Sequence, residues 1–328
     1  MAPPAIRERR IPMNYYFAPL EGVTGYRYRN LHQELFPGLD RYYSPFISTH
    51  GSLKMKTREK KDILPENNPK ITLIPQLLGA NADDFITYLG MLAELGYNEA
   101  NFNLGCPSGT VVSRHKGAGF LAVPDELDAF FHKVFNRLDQ EGNPIKISVK
   151  SRLGMEDPME YQRIFTIYER YPICEVIIHP RTKKEMYKKG VHTDIFCEIF
   201  KKSKHPICFN GDIFRPEDLK KLQETCPGIS SVMLGRGLLR NPALVREMKG
   251  GSPLSKEELF TFYHRLLQSY LEIYRDANTA LNRMKELWGY SSVLFPDSKK
   301  AMKKIMKSRK LTDYEEGIRE LEDGPLIL

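Results

Sequence analysis

Cysteine is scarce in this sequence and unpatterned. The five residues Cys106, Cys174, Cys197, Cys208 and Cys226 are odd in number, and no two stand as C-x-x-C. That spacing excludes a zinc ribbon and a disulfide framework, so a reducing cytoplasm and no metal ion are expected. No apolar run reaches about 18 residues, so no membrane span is expected. Met1–Arg10 is rich in Pro and Arg without an apolar stretch and does not read as a secretory signal. Repeats and low-complexity tracts are missing. So is a glycine-rich dinucleotide fingerprint after the first strand candidate, which counts against an open doubly wound sheet.

What is present is an alternation. The 328 residues, 41% of them hydrophobic, suffice for one large domain with an appendage. Strand-like runs fall at Tyr15–Ala18, Arg41–Ile47, Ile71–Leu77, Glu99–Asn103, Ile145–Lys150, Cys174–His179, Pro206–Asn210 and Ser230–Leu234. Helical patterns separate most of them: Asn81–Leu95, Pro124–Gln140, Pro158–Tyr171, Asp194–Lys202 and Arg215–Thr225. Asn81 suits an N-cap, and Gly96 a C-terminal stop. Eight strands and intervening helices within about 250 residues predict an α/β fold, a (β/α)8 TIM barrel. After Gly250-Gly251-Ser252-Pro253 the pattern becomes helical throughout, and Ser255 with Glu258 makes a capping box. A barrel over 1–250 and a small all-α domain over 251–328 are expected.

Charge is uneven. The net value is +8, from 49 basic and 41 acidic residues. Lys54–Lys61 and Arg181–Lys189 each hold five basic residues and one acid, and Lys299–Lys310 holds seven with no acid. Folded as one helix, that last run brings Lys299, Lys300, Lys303, Lys304, Lys307 and Lys310 within roughly a 140° arc. Ala301, Met302, Ile305 and Met306 would pack behind them. Such a face suits a polyanion such as RNA. Arg181, Lys183, Lys184, Lys188 and Lys189 would rim the mouth of the barrel. Trp288 and Tyr290 could stack on a base, a core role being the stronger reading for Trp288.

Polar or special residues recur at the strand ends: Pro19, Leu20 and Glu21 after the first, Gln76 in the third, Cys106 after the fourth. Lys150 and Arg152 end the fifth, and His179 the sixth. Asn210, Gly211 and Asp212 follow the seventh, and Gly235, Arg236 and Gly237 the eighth. In a closed barrel these ends converge on one mouth. Glycines at the last two loops allow a phosphate to approach backbone N–H groups, and Arg236 can pair with it. Lys150 could offset charge on a reduced flavin ring, and Gln76 could hydrogen-bond the ring's polar edge.

In this order A-P-L-E-G-V-T, N-L-G-C-P, V-K-S-R, I-H-P-R-T, N-G-D-I and L-G-R-G resemble the dihydrouridine synthases, flavin enzymes that reduce uridine in transfer RNA. The resemblance spans about Tyr15–Leu239. It implies FMN, with Pro19, Leu20 and Glu21 along the flavin, and Gln76, Lys150 and His179 at its rings. Asn210, Gly211, Asp212, Gly235 and Arg236 would lie at its phosphate end. It implies Cys106 as the general acid, Asn103 facing the uracil, and Arg152 near ring or substrate. NADPH is implied as the reductant and tRNA as the partner. Two positions depart from the family pattern: Leu20 stands where Met is usual, and Gly25 where an Asp commonly follows G-V-T. Lys116-Gly117-Ala118-Gly119 matches a glycine-rich loop expected to close over the substrate.

The chemistry then asks for a hydride at the far carbon of uracil's conjugated double bond and a proton at the near one. An unperturbed thiol, with a pKa near 8.5, keeps its proton at neutral pH. A flavin barrel reducing a free pyrimidine, dihydrouridine formation in ribosomal RNA, and an RNA-binding protein with an inactive barrel stay open at this point. A monomer is the default.

Overall fold

A computed structural model describes residues 12–52, 54–274 and 276–327. The segment 1–11, where no secretory signal was read, lies outside them. Among the described residues no helix is long and apolar enough to cross a membrane.

All strand pairings are parallel. In chain order the barrel strands are β1 Asn14–Phe17; β2, in two pieces, Arg41–Tyr43 and Ile47–Ser48; and β3, also in two, Leu73–Ile74 and Gln76–Leu78. There follow β4 Glu99–Leu104, β5 Lys146–Gly154, β6 Val176–Thr182, β7 Ile207–Phe209 and β8 Ser231–Leu234. The first piece of β2 pairs with β1 and with the first piece of β3, and the second pieces pair with each other. β3 continues to β4, and β8 returns to β1. The ring therefore closes, and the expected eight-stranded barrel is formed.

Two expected strands are broken because Pro45 and Pro75 have no N–H to give the ladder. β5 runs on to Gly154 and β6 to Thr182, past their expected ends, with a register shift between Arg152 and Gly154. The expected helix Pro158–Tyr171 is a 3-10 turn followed by Tyr161–Tyr168. Asn81 caps its helix by accepting from the Asp84 N–H at 3.0 Å, and Gly96 ends it at φ +87°.

Side-chain alternation explains the mouth. Outward residues such as Val176, Ile178, Val232 and Leu234 join the core under the helices. Tyr16, Tyr43, Ile74, Ile177, Cys208 and Met233 form a separate cluster inside the barrel. Two residues further along each strand, the same inward face carries Ala18, Gln76, His179, Asn210 and Gly235.

The C-terminal helices Lys256–Ile273, Ala277–Ser291, Lys299–Lys307 and Leu311–Glu322 form a bundle whose core is continuous with the barrel's outer layer. Phe262 meets Tyr28 and His32 of the helix Tyr26–Leu35, and Phe36 just after it, edge-on. The capping box forms: the Glu258 N–H donates to Ser255 Oγ at 3.1 Å, and the Ser255 N–H to Glu258 Oε2 at 2.9 Å. Trp288 is fully buried and donates from Nε1 to Tyr314 Oη at 2.7 Å, so it is core.

The basic run departs from expectation. Its helix stops at Lys307, and Lys310 instead stands just before the next helix, Leu311–Glu322, off the lysine helix. Ala301 and Ile305 are buried, whereas Met306 is 44% exposed.

Candidate active site

The strand ends enclose a cavity of about 250 Å³. Every residue expected there at the cofactor lines it: Pro19, Leu20, Glu21, Gln76, Lys150, His179, Asn210, Gly211, Asp212, Gly235 and Arg236. Asn103, Cys106 and Arg152 line it as well.

Cys106 sits in a turn built by its neighbours. Asn103 Oδ1 accepts the N–H groups of Gly105 and Cys106 at 3.0 and 2.9 Å. Asn103 Nδ2 donates to Gln76 Oε1, and Gln76 Nε2 to Asn101 Oδ1, both at 2.7 Å. Asn103 thus spends most of its hydrogen-bonding capacity orienting the thiol's turn. The glycine-rich loop lies over it, with the Ala118 N–H donating to Cys106 O at 3.1 Å and Lys116 Nζ to Thr49 O at 3.0 Å. Burial pushes the Cys106 thiol up, against the pull of the Ser108 N–H, Arg152 and Lys150, so the proton stays on sulfur at neutral pH.

The wall beside the thiol is cationic. Burial, with Arg152 beside it, brings Lys150 down to about 8. Burial, with four neighbouring cations, holds His179 neutral. Arg181 Nη1 approaches His179 Nε2 at 3.0 Å, so that nitrogen accepts and Nδ1 carries the hydrogen. Arg152 is 1% exposed and donates to Gly105 O and Thr182 O at 2.9 Å each, joining the thiol's turn to β6.

Some expected contacts are not available. Arg181 is 1% exposed, not on the rim: its guanidinium is used up on Asp212, His179 and the Lys189 carbonyl. Asp212 also pairs with Arg236, so the carboxylate aims an arginine rather than meeting an anion itself. Asn210 Nδ2 donates to Met233 O at 2.8 Å. A Cβ at Gly237 would lie 2.2 Å from Ile213 O, so the fold's own packing demands that glycine. Lys183 is half-buried and away from the cavity, tied by its N–H to Gly154 O at 2.9 Å. Lys304 is occupied by Glu316 and Glu320. Lys299, Lys300, Lys303 and Lys307 are exposed and have no ion-pair partner among the described residues.

Several lining residues, Tyr187 and Glu286 among them, lay beyond sequence reasoning, and Tyr290, read as able to stack on a base, proves to line the cavity. Tyr187 stands under Arg236, whose guanidinium carbon is 4.4 Å from the ring centre. Glu286 and Tyr290, one turn apart on Ala277–Ser291, reach the mouth from the bundle. The single aromatic inside the basic run Arg181–Lys189 was the only local signal for Tyr187. Gly25 is also explained: the Asp62 carboxylate accepts the Tyr26 N–H at 2.6 Å, and a Cβ on residue 25 would approach Asp62 Oδ1 at 3.3 Å.

A closed parallel barrel with a cationic mouth and one thiol at the carboxyl end of a strand defines a class: barrel enzymes with their site at the carboxyl ends of the strands. The fold is shared with solved structures of morphinone reductase, at TM-scores of 0.51 and 0.52 and 12% identity over about three quarters of this chain; 87% and 90% of the two reductase chains are covered. The family model for dihydrouridine synthase matches residues 16–321, and the chain belongs to that family. It is 28% identical over 284 residues to a tRNA-dihydrouridine(16) synthase of Neisseria meningitidis serogroup B, covering 83% of this chain and 84% of that one. It is 29% identical over 263 residues to the probable tRNA-dihydrouridine synthase 2 of Bacillus subtilis, covering 76% and 77%.

Proposed function

We propose that this protein reduces chosen uridines of transfer RNA to 5,6-dihydrouridine with FMN and NADPH, in the cytoplasm. The observation that carries this reading is one thiol, kept protonated, beside a row of cations in a cavity the size of a small ligand. The donor set fits a flat anionic cofactor: Lys150, Arg152 and Arg236 balance charge, while Ala18, Pro19 and Leu20 offer apolar surface. Lys150, His179 and Gln76 would hold the ring system, and Gly235, Arg236, Asn210 and Gly211 the phosphate end, with Asp212 orienting Arg236. A flavin held by these residues would, once reduced, supply the hydride for C6 of uracil.

The chain's own residues do the rest. Cys106 Sγ gives its proton to C5: the S–H bond breaks, a C–H bond forms, and the thiolate left behind takes a proton from solvent. Lys150 and Arg152 stabilise that thiolate, as their pull on the Cys106 proton requires. Asn103 and Arg152 keep the turn in place from below. The uridine must leave its stack to reach the cavity, and phosphate contacts must hold the strand while it does. Lys299, Lys300, Lys303 and Lys307 are suited to that grip. We accordingly read residues 1–250 as the catalytic unit and 251–328 as the RNA-binding one.

The test compares wild type with Cys106→Ala, using NADPH and unmodified tRNA, following the flavin spectrum and mapping dihydrouridine by mass. Position 16, named in the Neisseria relative, is the first to inspect. Yellow protein of both kinds, with product largely lost in the variant, is expected. Flavin reduction without any tRNA product would move the substrate to ribosomal RNA or a free pyrimidine, and colourless protein would end the flavin reading.

A further inference from the structure

A second cavity, of about 240 Å³, adjoins the first and shares Glu21, Val23, Pro45 and Phe46 with it. The reaction above uses none of its other walls. One side belongs to the barrel, with Tyr26 and Phe46; the other belongs to the bundle, with Tyr270, Ile273 and Tyr274. Ile273 is 44% exposed, and Tyr26, Phe46 and Tyr274 are half-buried, so apolar and aromatic surface faces the opening.

The rim is the basic run Lys54–Lys61. Its helix, Thr57–Ile63, supplies Arg58 and Lys61 to the cavity wall. Lys54, Lys56, Arg58, Lys60 and Lys61 are all exposed. The acids alongside are already engaged: Asp62 with Arg29 at 2.9 Å, Glu59 with Lys56 at 3.8 Å, and Glu21 with Arg58. Among the described residues, Lys54, Lys60 and Lys61 have no carboxylate partner. Aromatic surface at the bottom with a row of cations at the lip is how proteins hold single-stranded nucleic acid, the bases stacking and the backbone tracking the charge.

We propose that this second cavity takes the base next to the reduced uridine in the RNA strand, while the Lys54–Lys61 run holds the phosphate that joins the two nucleotides and those that follow it along the strand. The proposal rests on RNA being the substrate. Two adjoining cavities with a shared wall match two adjacent nucleotides. A row of cations along the lip matches the evenly spaced phosphates of a strand better than the paired diphosphate of a dinucleotide. Because the bundle builds half the cavity, its seating on the barrel decides which strand register brings a uridine to Cys106. Tyr274 is thereby a residue that selects the position reduced.

The test measures binding of tRNA transcripts without turnover, for wild type, Tyr274→Ala, Tyr274→Phe and Lys61→Ala. The transcripts are intact, or abasic on the 5′ or the 3′ side of the uridine mapped as product. Tyr274→Ala should weaken the intact transcript roughly tenfold, the scale of one lost stacking contact, and Tyr274→Phe should restore it. One abasic transcript should lose the same affinity in wild type and nothing further in Tyr274→Ala, the mark of a direct pair. Lys61→Ala should lower the salt slope by about one. Wild-type affinity in Tyr274→Ala, or additive losses with both abasic transcripts, overturns the proposal. So does slower flavin reduction by NADPH with RNA affinity unchanged, which would give the cavity to the dinucleotide. Protein that lacks flavin but shows the coupling keeps the pocket and fails the reductase reading instead.

Discussion

Replacing Gly117 by alanine should disable the enzyme from outside the cavity. Gly117 has φ +57°, and a Cβ there would meet Cys106 O and Val111 Cγ1 at 2.9 Å and Cys106 Cβ at 3.0 Å. The left-handed backbone costs an L-residue about 1–2 kcal/mol. Overpacking against a carbonyl and a side chain adds about 1–3 kcal/mol. Together about 2–5 kcal/mol should lower the melting temperature by about 3–7 °C in a chain of this size. Relief requires the loop to lift or the Cys106 turn to move, and a displacement near 1 Å at a reacting group can cost about a hundredfold in rate. Gly142 supplies the control: its φ is +60°, and nothing lies within 4 Å of its Cβ position. Gly142→Ala should therefore show only the backbone cost, about 1–2 kcal/mol, with turnover unchanged. The assays are thermal unfolding, the flavin spectrum, and dihydrouridine formation under saturating tRNA. Flavin content should match in both variants, because neither residue lines the cavity. If Gly117→Ala behaves like Gly142→Ala in stability and turnover, the loop does not press on Cys106 and the reasoning fails.

Other outcomes follow from the same geometry. With Lys150 down to about 8 and the Cys106 thiol pushed up, turnover should fall as pH rises through about 8, when Lys150 loses its charge while the thiol is still protonated. In a pH-rate profile Lys150→Met should lose that limb, and a limb kept in the variant assigns it elsewhere. Trp288→Phe removes the donor to Tyr314 Oη inside the bundle, leaving a buried hydroxyl short of a partner. It should cost about 1–3 kcal/mol in denaturant unfolding, whereas a loss of RNA affinity at full stability would restore the stacking role. Lys303→Ala should reduce the salt slope of tRNA binding by about one. Lys304→Ala, held by Glu316 and Glu320, should leave it nearly unchanged, and equal slopes would contradict the assignment of the free lysine face.

Much of this molecule was legible from local chemistry. Eight apolar runs with helical spacers point to a parallel α/β fold, because parallel neighbours need a crossover connection, and the missing dinucleotide fingerprint favours a barrel over an open sheet. Strand alternation put Lys150, His179 and Asn210 on the inward face, and N-L-G-C-P put Cys106 just past β4. Asn81 and Ser255 are caps for the same local reason: a side-chain oxygen reaches an N–H two or three residues away.

Pairing was not legible. Arg181 and Lys304 have the same residue type and the same basic neighbourhood as cations that remain free. Asp212, 31 residues after Arg181, and Glu316 with Glu320, 12 and 16 residues after Lys304, neutralise them across chain crossings. The second cavity needs Tyr26 and Tyr274 on facing walls, which only the docking of bundle on barrel brings about. Periodicity, turns and caps act over a few residues and can be read in a line. Which charges are spent and which surfaces face each other depends on packing between distant segments, and that is set only when the chain has folded.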